Sequence, residues 1–342
     1  MKLKRIARVA VDRLAVLSGL TALSESGMRR GLTVLTYHRV LPDNLCADYL
    51  FPSLAVPESM FRGQMATLAR RCNVVTLDEG LLAIQSGKVA DRPMVAITFD
   101  DGYSDNIRLA APVMDALGLR ATFFVVAGLI GTDSELWYDV AARRWSAASG
   151  ADLAEAVRAC GQLPDWTDVK PPMDRWMSLL KRISPGDRAR VVDALREPGC
   201  EHSRRRFDRL MSPDDLRALH SKGHVIGSHT MTHPLLPQLD RANMEHELVR
   251  SKELLQGWLQ SEVTSFCYPN GDHDNDVVAA VHAAGYLTAC TTQSGRNGSG
   301  SDPLRLRRVD MHPSRSSGVV GQFDEPSFRA TISLLHARRQ TT

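Results

Sequence analysis

No stretch of the 342-residue chain stays apolar for the ~18–20 residues that a membrane-spanning helix needs. No block of like charge is long enough to act as a binding tail. The formal net charge of +3 is too small to argue for nucleic acid as a partner. The six cysteines (Cys46, Cys72, Cys160, Cys200, Cys267, Cys290) form no C-x-x-C pair. Their scatter suits reduced thiols in the cytoplasm better than the disulfide framework that small secreted domains need. Internal repeats and low-complexity tracts are missing as well. What is present is ordinary: 43% hydrophobic and 24% charged residues, and enough chain for one large domain or two small ones.

The first 30 residues stand apart. MKLKRIARVAVDRLAVLSGLTALSES places basic residues before a weakly apolar stretch at 14–23, with no small-x-small cleavage site after it. The pattern predicts an amphipathic helix, with Ile6, Val9, Leu14, Leu17 and Leu20 near one face and Lys4, Arg5, Arg8 and Arg13 elsewhere. Docking on the domain is the first expectation for it. Association with an anionic membrane surface is the second and secretion the last. The expected location is therefore cytoplasmic, with the inner face of the membrane as an alternative.

From residue 33 on, short runs rich in Val, Ile, Thr and Phe alternate with helix-patterned segments. Strands are expected at 33–37, 74–77, 95–99, 121–126, 225–228, 265–268, 287–291 and 304–309. Helices are expected at 105–117, 213–221, 240–260 and 274–284. Such alternation predicts a largely parallel sheet covered by helices, and its length suits a barrel over residues 31–335. Residues 128–209 break the rhythm with four tryptophans (Trp137, Trp145, Trp166, Trp176) and a Pro-Pro pair. They read as a helical insertion in a βα loop, either a substrate-binding lid or a packing appendage. Residues 336–342 are expected to be a disordered tail.

Two segments carry chemistry. Val95-Ala96-Ile97-Thr98-Phe99-Asp100-Asp101-Gly102 is an apolar strand that ends in two adjacent carboxylates. Neighbouring anions repel and both lose solvation, so packing alone does not favour this ending, though a surface D-G turn would explain it. The run from His224 to Pro234 ends in His229 and His233, four apart, with Pro234 arguing against a helix through them. Two neutral imidazoles and one carboxylate suit Zn²⁺ with open positions for water and substrate.

Taken together, T-F-D-D-G and S-H-T-x-x-H resemble the first two motifs of the polysaccharide deacetylase family, the NodB-homology domain. Tyr37-His38-Arg39-Val40 is similar to the opening motif of one branch of it. The resemblance spans about residues 33–310 outside the insertion, and it implies a distorted (β/α)7 barrel. It also implies that Asp101, His229 and His233 hold a divalent metal, zinc first, with cobalt or nickel as alternatives. Asp100 is then the general base that takes a proton from the attacking water.

The third motif departs from the family. In Phe266-Cys267-Tyr268-Pro269-Asn270-Gly271 a cysteine stands where the family has an arginine. The resemblance places the oxyanion N–H on Asn270, with Tyr268 and Pro269 beside the substrate. Arg305, Arg307 or Arg308 is left to replace the arginine. For the general acid, His312 and His336 lie near the family's C-terminal position without a good match, so the opening-motif His38 is expected to serve.

The expected function is removal of N-acetyl groups from a polysaccharide or glycan precursor, with an acetylated glycan or lipid-linked sugar as partner and no nucleic acid. Alternatives are an O-acetyl esterase or small-amide hydrolase on the same site, or an inactive glycan-binding or assembly protein.

Overall fold

The computed structural model describes residues 2–335 except 47, 88, 165, 167, 168 and 196–208. The expected tail at 336–342, with His336, and also Cys200 and His202, lie outside the described residues. Ten strands are described: β1 (Leu32–Tyr37), β2 (Arg39–Leu41), β3 (Ala55–Pro57), β4 (Asn73–Val74), β5 (Met94–Phe99), β6 (Thr122–Val125), β7 (Val225–Ser228), β8 (Ser265–Cys267), β9 (Thr288–Ser294) and β10 (Leu306–Asp310).

Seven of them close on themselves in the order β1-β5-β6-β7-β8-β9-β10, all parallel, as expected for a (β/α)7 barrel. The ring is uneven because β4 pairs with residues 94–95 of β5, whereas β6 meets only Thr98 and Phe99. Both lie on the edge of β5 that β1 does not occupy, so the β5–β6 seam is split. The strand expected at 74–77 stops at Val74. Thr76 instead caps the helix Leu77–Gln85 through a reciprocal pair with Glu79. β2 and β3, which the sequence pattern did not announce, form a separate two-stranded sheet beside the barrel mouth.

Alternation along each strand sorts side chains into two cores. Val34, Met94, Ala96, Phe124, Cys267, Cys290 and Leu306 fill the barrel interior. Leu35, Ile97, Phe99, Phe123, Ile226, Phe266 and Val309 face the surrounding helices. Between β6 and β7 the insertion supplies four helices, Trp137–Ala147, Gly150–Ala159, Met173–Arg182 and Pro185–Asp193. They share a third core around Leu153, Val157, Trp176, Leu180 and Val191, which reaches Tyr103 and Val126 of the barrel. The segment leaving the insertion is strapped to the Asp101-Gly102 turn: Leu210 bridges Tyr103, and Met211 N–H donates to the Gly102 carbonyl.

The N-terminal helix Lys2–Leu17 docks on the helix Glu325–Ile332, with most of the apolar face expected from the sequence turned outward. Val9, Asp12 and Ala15 are buried, whereas Leu14, Leu17 and Leu20 are exposed.

Candidate active site and its family

The inward parity of the barrel strands brings the chemistry to the carboxyl ends of the strands, where barrels of this kind place it. Residues 34, 36 and 38 follow one parity on β1, 96, 98 and 100 on β5, 227 and 229 on β7, and 306 and 308 on β10. His38, Asp100, His229 and Arg308 are thereby delivered to one mouth. Gly227 is required at its place on β7, because a Cβ there would stand 2.6 Å from the Phe124 ring.

Asp100 and Asp101 divide at the end of β5. Both side chains of the Arg308–Asp100 pair are buried, and the guanidinium forks onto the carboxylate at 2.8 Å (Nη1 to Oδ1) and 2.7 Å (Nη2 to Oδ2). Burial alone would raise this carboxyl, but the Arg308 charge and its two hydrogen bonds overcome it and hold Asp100 well below the usual carboxylate range. Arg308 Nη2 also lies 3.2 Å from Cys267 Sγ. The guanidinium missing at position 267 is thus supplied from the last strand, through room left by a small side chain. Arg305 and Arg307 do not reach Asp100. Arg305 pairs with Asp302 and Asn275 instead.

Asp101 turns the other way because its backbone adopts φ 77°, and Gly102 follows at φ 86°. Its Oδ1 stands 3.6 Å from Nε2 of His229 and 3.6 Å from Nε2 of His233. Its Oδ2 accepts a 2.8 Å bond from the Tyr138 hydroxyl. The Nδ1 of His229 lies 2.7 Å from the Cys267 carbonyl. A carbonyl only accepts, so Nδ1 carries the proton and Nε2 presents its lone pair.

The His229–His233 turn is held open rather than helical. Glu247 accepts the N–H groups of Met231 and Thr232 and the Thr232 hydroxyl, and Thr230 Oγ1 accepts the N–H of His233. Thr230 and His233 both sit at positive φ. With Asp101 and Asn270, four of the six non-glycine residues at positive φ in the described chain belong to this site. Such backbone persists where surrounding contacts over-determine it. Burial disfavours the imidazolium forms and lowers both histidines, His233 the more strongly.

One atom from each of Asp101, His229 and His233 lies within 4.8 Å of the others. The 3.6 Å separations exceed a hydrogen bond and approach the roughly 3.3 Å between donors that share a tetrahedral ion at ~2.0–2.1 Å. Two imidazoles held neutral by burial, the lone pair of His229 turned inward, and one buried carboxylate fit a divalent cation. A second grouping, Asp100, His229 and Cys267, fits less well, since Arg308 already engages Asp100 and Cys267.

The other expected residues surround the same pocket, whose lining includes His38, Asp100, Asp101, Tyr268 and Asn270. His38 Nε2 lies 3.9 Å from Asp100 Oδ2, with 21% of its side chain exposed. Asn270 occupies the left-handed region (φ 58°, ψ −1°), which interrupts the short turn after Pro269. The Tyr268 hydroxyl donates to the Leu304 carbonyl, so its contribution to the pocket is ring surface. Pro269 is buried and begins the turn that carries Asn270. His312 bonds to Ser314 and is not among the pocket's lining residues.

Sequence reasoning missed three residues that shape the site. Tyr138 and Trp137 come from the insertion, and Trp137 Nε1 donates to the His233 carbonyl at 3.1 Å. Glu247 comes from the helix Arg241–Leu259. No local pattern marks them, because each acts across more than 14 residues of chain separation.

Comparison with known proteins gives the family and the fold. The polysaccharide deacetylase family matches residues 87–289. The candidate polysaccharide deacetylase YxkH of Bacillus subtilis (strain 168) is 22% identical over 295 residues, 86% of this chain and 76% of YxkH. Among solved structures, IcaB of Ammonifex degensii matches with a TM-score of 0.57 at 19% identity, covering 89% of this chain and 97% of IcaB. The deacetylase PplD of Streptococcus pyogenes, solved with acetate, matches with a TM-score of 0.56 at 16% identity, covering 85% and 96%. The structural likeness establishes the fold, and the match over more than half the chain establishes the lineage: this chain belongs to the polysaccharide deacetylase family.

Proposed function

We propose that the chain is a metal-dependent deacetylase that hydrolyses N-acetyl groups of a polysaccharide or glycan precursor. The observation that carries this reading is the convergence of Asp101 Oδ1 and the Nε2 atoms of His229 and His233 beside a second, ionised carboxylate, Asp100. Asp101, His229 and His233 would hold the ion. When bound, a divalent ion of this kind lowers the pKa of water and polarises the acetyl carbonyl.

The remaining work falls to the chain's own residues. Arg308 fixes the plane of Asp100 and keeps it ionised, and each carboxylate oxygen retains a second lone pair. Asp100 takes the proton of the attacking water there. His38, on the same side of the pocket, delivers a proton to the leaving nitrogen. Asn270 presents its backbone N–H to the developing oxyanion.

The test combines metal analysis of the purified protein with acetate release from N-acetylated and O-acetylated glycans. Asp100→Asn is expected to keep its metal and lose turnover by roughly 10²–10⁴-fold. His229→Ala is expected to lose both. Wild-type acetate release by Asp100→Asn would remove Asp100 as base. Release from O-acetyl esters alone would make the protein an esterase.

A further inference from the structure

The N-terminal helix Lys2–Leu17 is amphipathic with its sides reversed. Arg8, Val9, Asp12 and Ala15 share the side that meets the barrel, by the 3.6-residue period of a helix. Asp12 is only 1% exposed, and Arg8 donates to the carbonyls of Ser314 and Ser317. The opposite side carries Leu3, Ile6, Leu14 and Leu17, with Leu3 81% and Leu17 83% exposed. After Gly19, at φ 78°, the helix Leu20–Gly27 repeats the arrangement: Thr21 is buried while Leu20 and Leu23 face outward. Seven of the large apolar side chains exposed on the described surface fall within these two helices.

Charge decides what such a face fits. Residues 1–30 hold seven Lys or Arg against two acidic residues, a surplus larger than the +3 of the entire chain, so the rest of the chain is net negative. Of the two acids, Asp12 is buried and Glu25 is paired with Arg329. Lys4 and Arg5 fall nearer the Arg8 side by the helical period; Lys4 is exposed and Arg5 half-buried, and neither has an ion pair among the described residues. Two copies placed face to face would bring two such cationic segments together, with Asp12 buried and Glu25 already paired. An anionic lipid surface supplies both the apolar layer and the counter-charge.

We infer that the two N-terminal helices form a monotopic docking face, which lays Leu3, Leu14, Leu17, Leu20 and Leu23 into the headgroup layer of an anionic bilayer. The face runs along the barrel wall. Arg8 reaches the loop after the carboxyl end of β10, on the catalytic side, while Arg29 reaches the Ala90 carbonyl just before β5, on the other. Docking therefore leaves the pocket mouth open at the edge of the surface.

Flotation of the full chain with vesicles tests this. The protein is expected to float with phosphatidylcholine vesicles that contain phosphatidylglycerol, and to do so less as salt rises. Leu14→Glu combined with Leu17→Glu changes exposed positions only; it should cut the bound fraction about tenfold or more and leave the thermal midpoint in place. Wild-type protein that stays in the bulk with anionic vesicles would overturn the inference, as would undiminished flotation of the double variant. A wild-type dimer that the double variant dissociates, with no flotation by either, would reassign the face to self-association.

Discussion

The Tyr138 hydroxyl donates to Oδ2 of Asp101 at 2.8 Å, and so leaves Oδ1 as the oxygen that faces both histidines. Tyr138 belongs to the insertion, and its hydroxyl also lies 3.0 Å from that of Tyr103, which in turn donates to Asp139 at 2.6 Å. The insertion therefore reaches into the candidate metal centre as well as bordering the pocket. Outer partners of this kind orient a ligand, and their removal typically weakens metal binding about 10–100-fold. Tyr138→Phe is expected to lose metal affinity within that range, measured by competition with a chromophoric chelator, while its fold and thermal midpoint change little. An affinity equal to wild type would mean that the bond positions nothing.

Arg308 gives a second prediction, because its partner Asp100 is buried with it. Replacing one member of such a pair strands the other charge, at a cost of about 3–5 kcal/mol. Arg308→Met should lose stability of this order in urea unfolding and should also lose acetate release. Adding Asp100→Asn to it removes the stranded charge, so the double variant should regain part of the stability and none of the activity. Additive losses in the two single variants would show that the pair is not coupled.

A third prediction separates His38 from its neighbours. His38→Ala should lower turnover on N-acetyl substrates by roughly 10²–10⁴-fold. Substrates with a good leaving group, such as a nitrophenyl acetate, need no proton on departure and should be hydrolysed with little loss. Equal losses on both kinds of substrate would assign His38 to binding rather than to proton transfer.

Much of this site was legible from the end of a strand. An apolar run closing in Asp100-Asp101, and another closing in His229, mark chemistry because packing does not favour them. Which arginine meets Asp100 was also within reach: with Leu306 facing inward, alternation points 308 into the barrel and turns 305 and 307 away. The Tyr138 and Glu247 contacts were not legible, since they depend on how the insertion and the helix Arg241–Leu259 pack over the mouth. The N-terminal helix was recognised as amphipathic, but periodicity alone does not say which face turns inward. Arg8 and Arg13 settled that through the carbonyls of Ser314 and Ser317 and the Asp324 carboxylate.

The last prediction concerns pH in the metal-free protein. Burial lowers His229 and His233 below their ordinary 6.5, and it lowers His224 and His312 likewise. Below that value the unfolded chain takes up protons that the folded chain refuses, so stability falls as pH falls and is fully present above it. In the presence of a chelator the thermal midpoint should therefore drop between about pH 7.5 and about pH 5.5. Zinc bound through the same imidazoles competes with those protons, so its stabilising shift should be larger at the higher pH. A midpoint that is flat across this window without metal would show that the histidines are solvated in the folded state, and the proposed ligand set would lose its pre-formed neutral imidazoles.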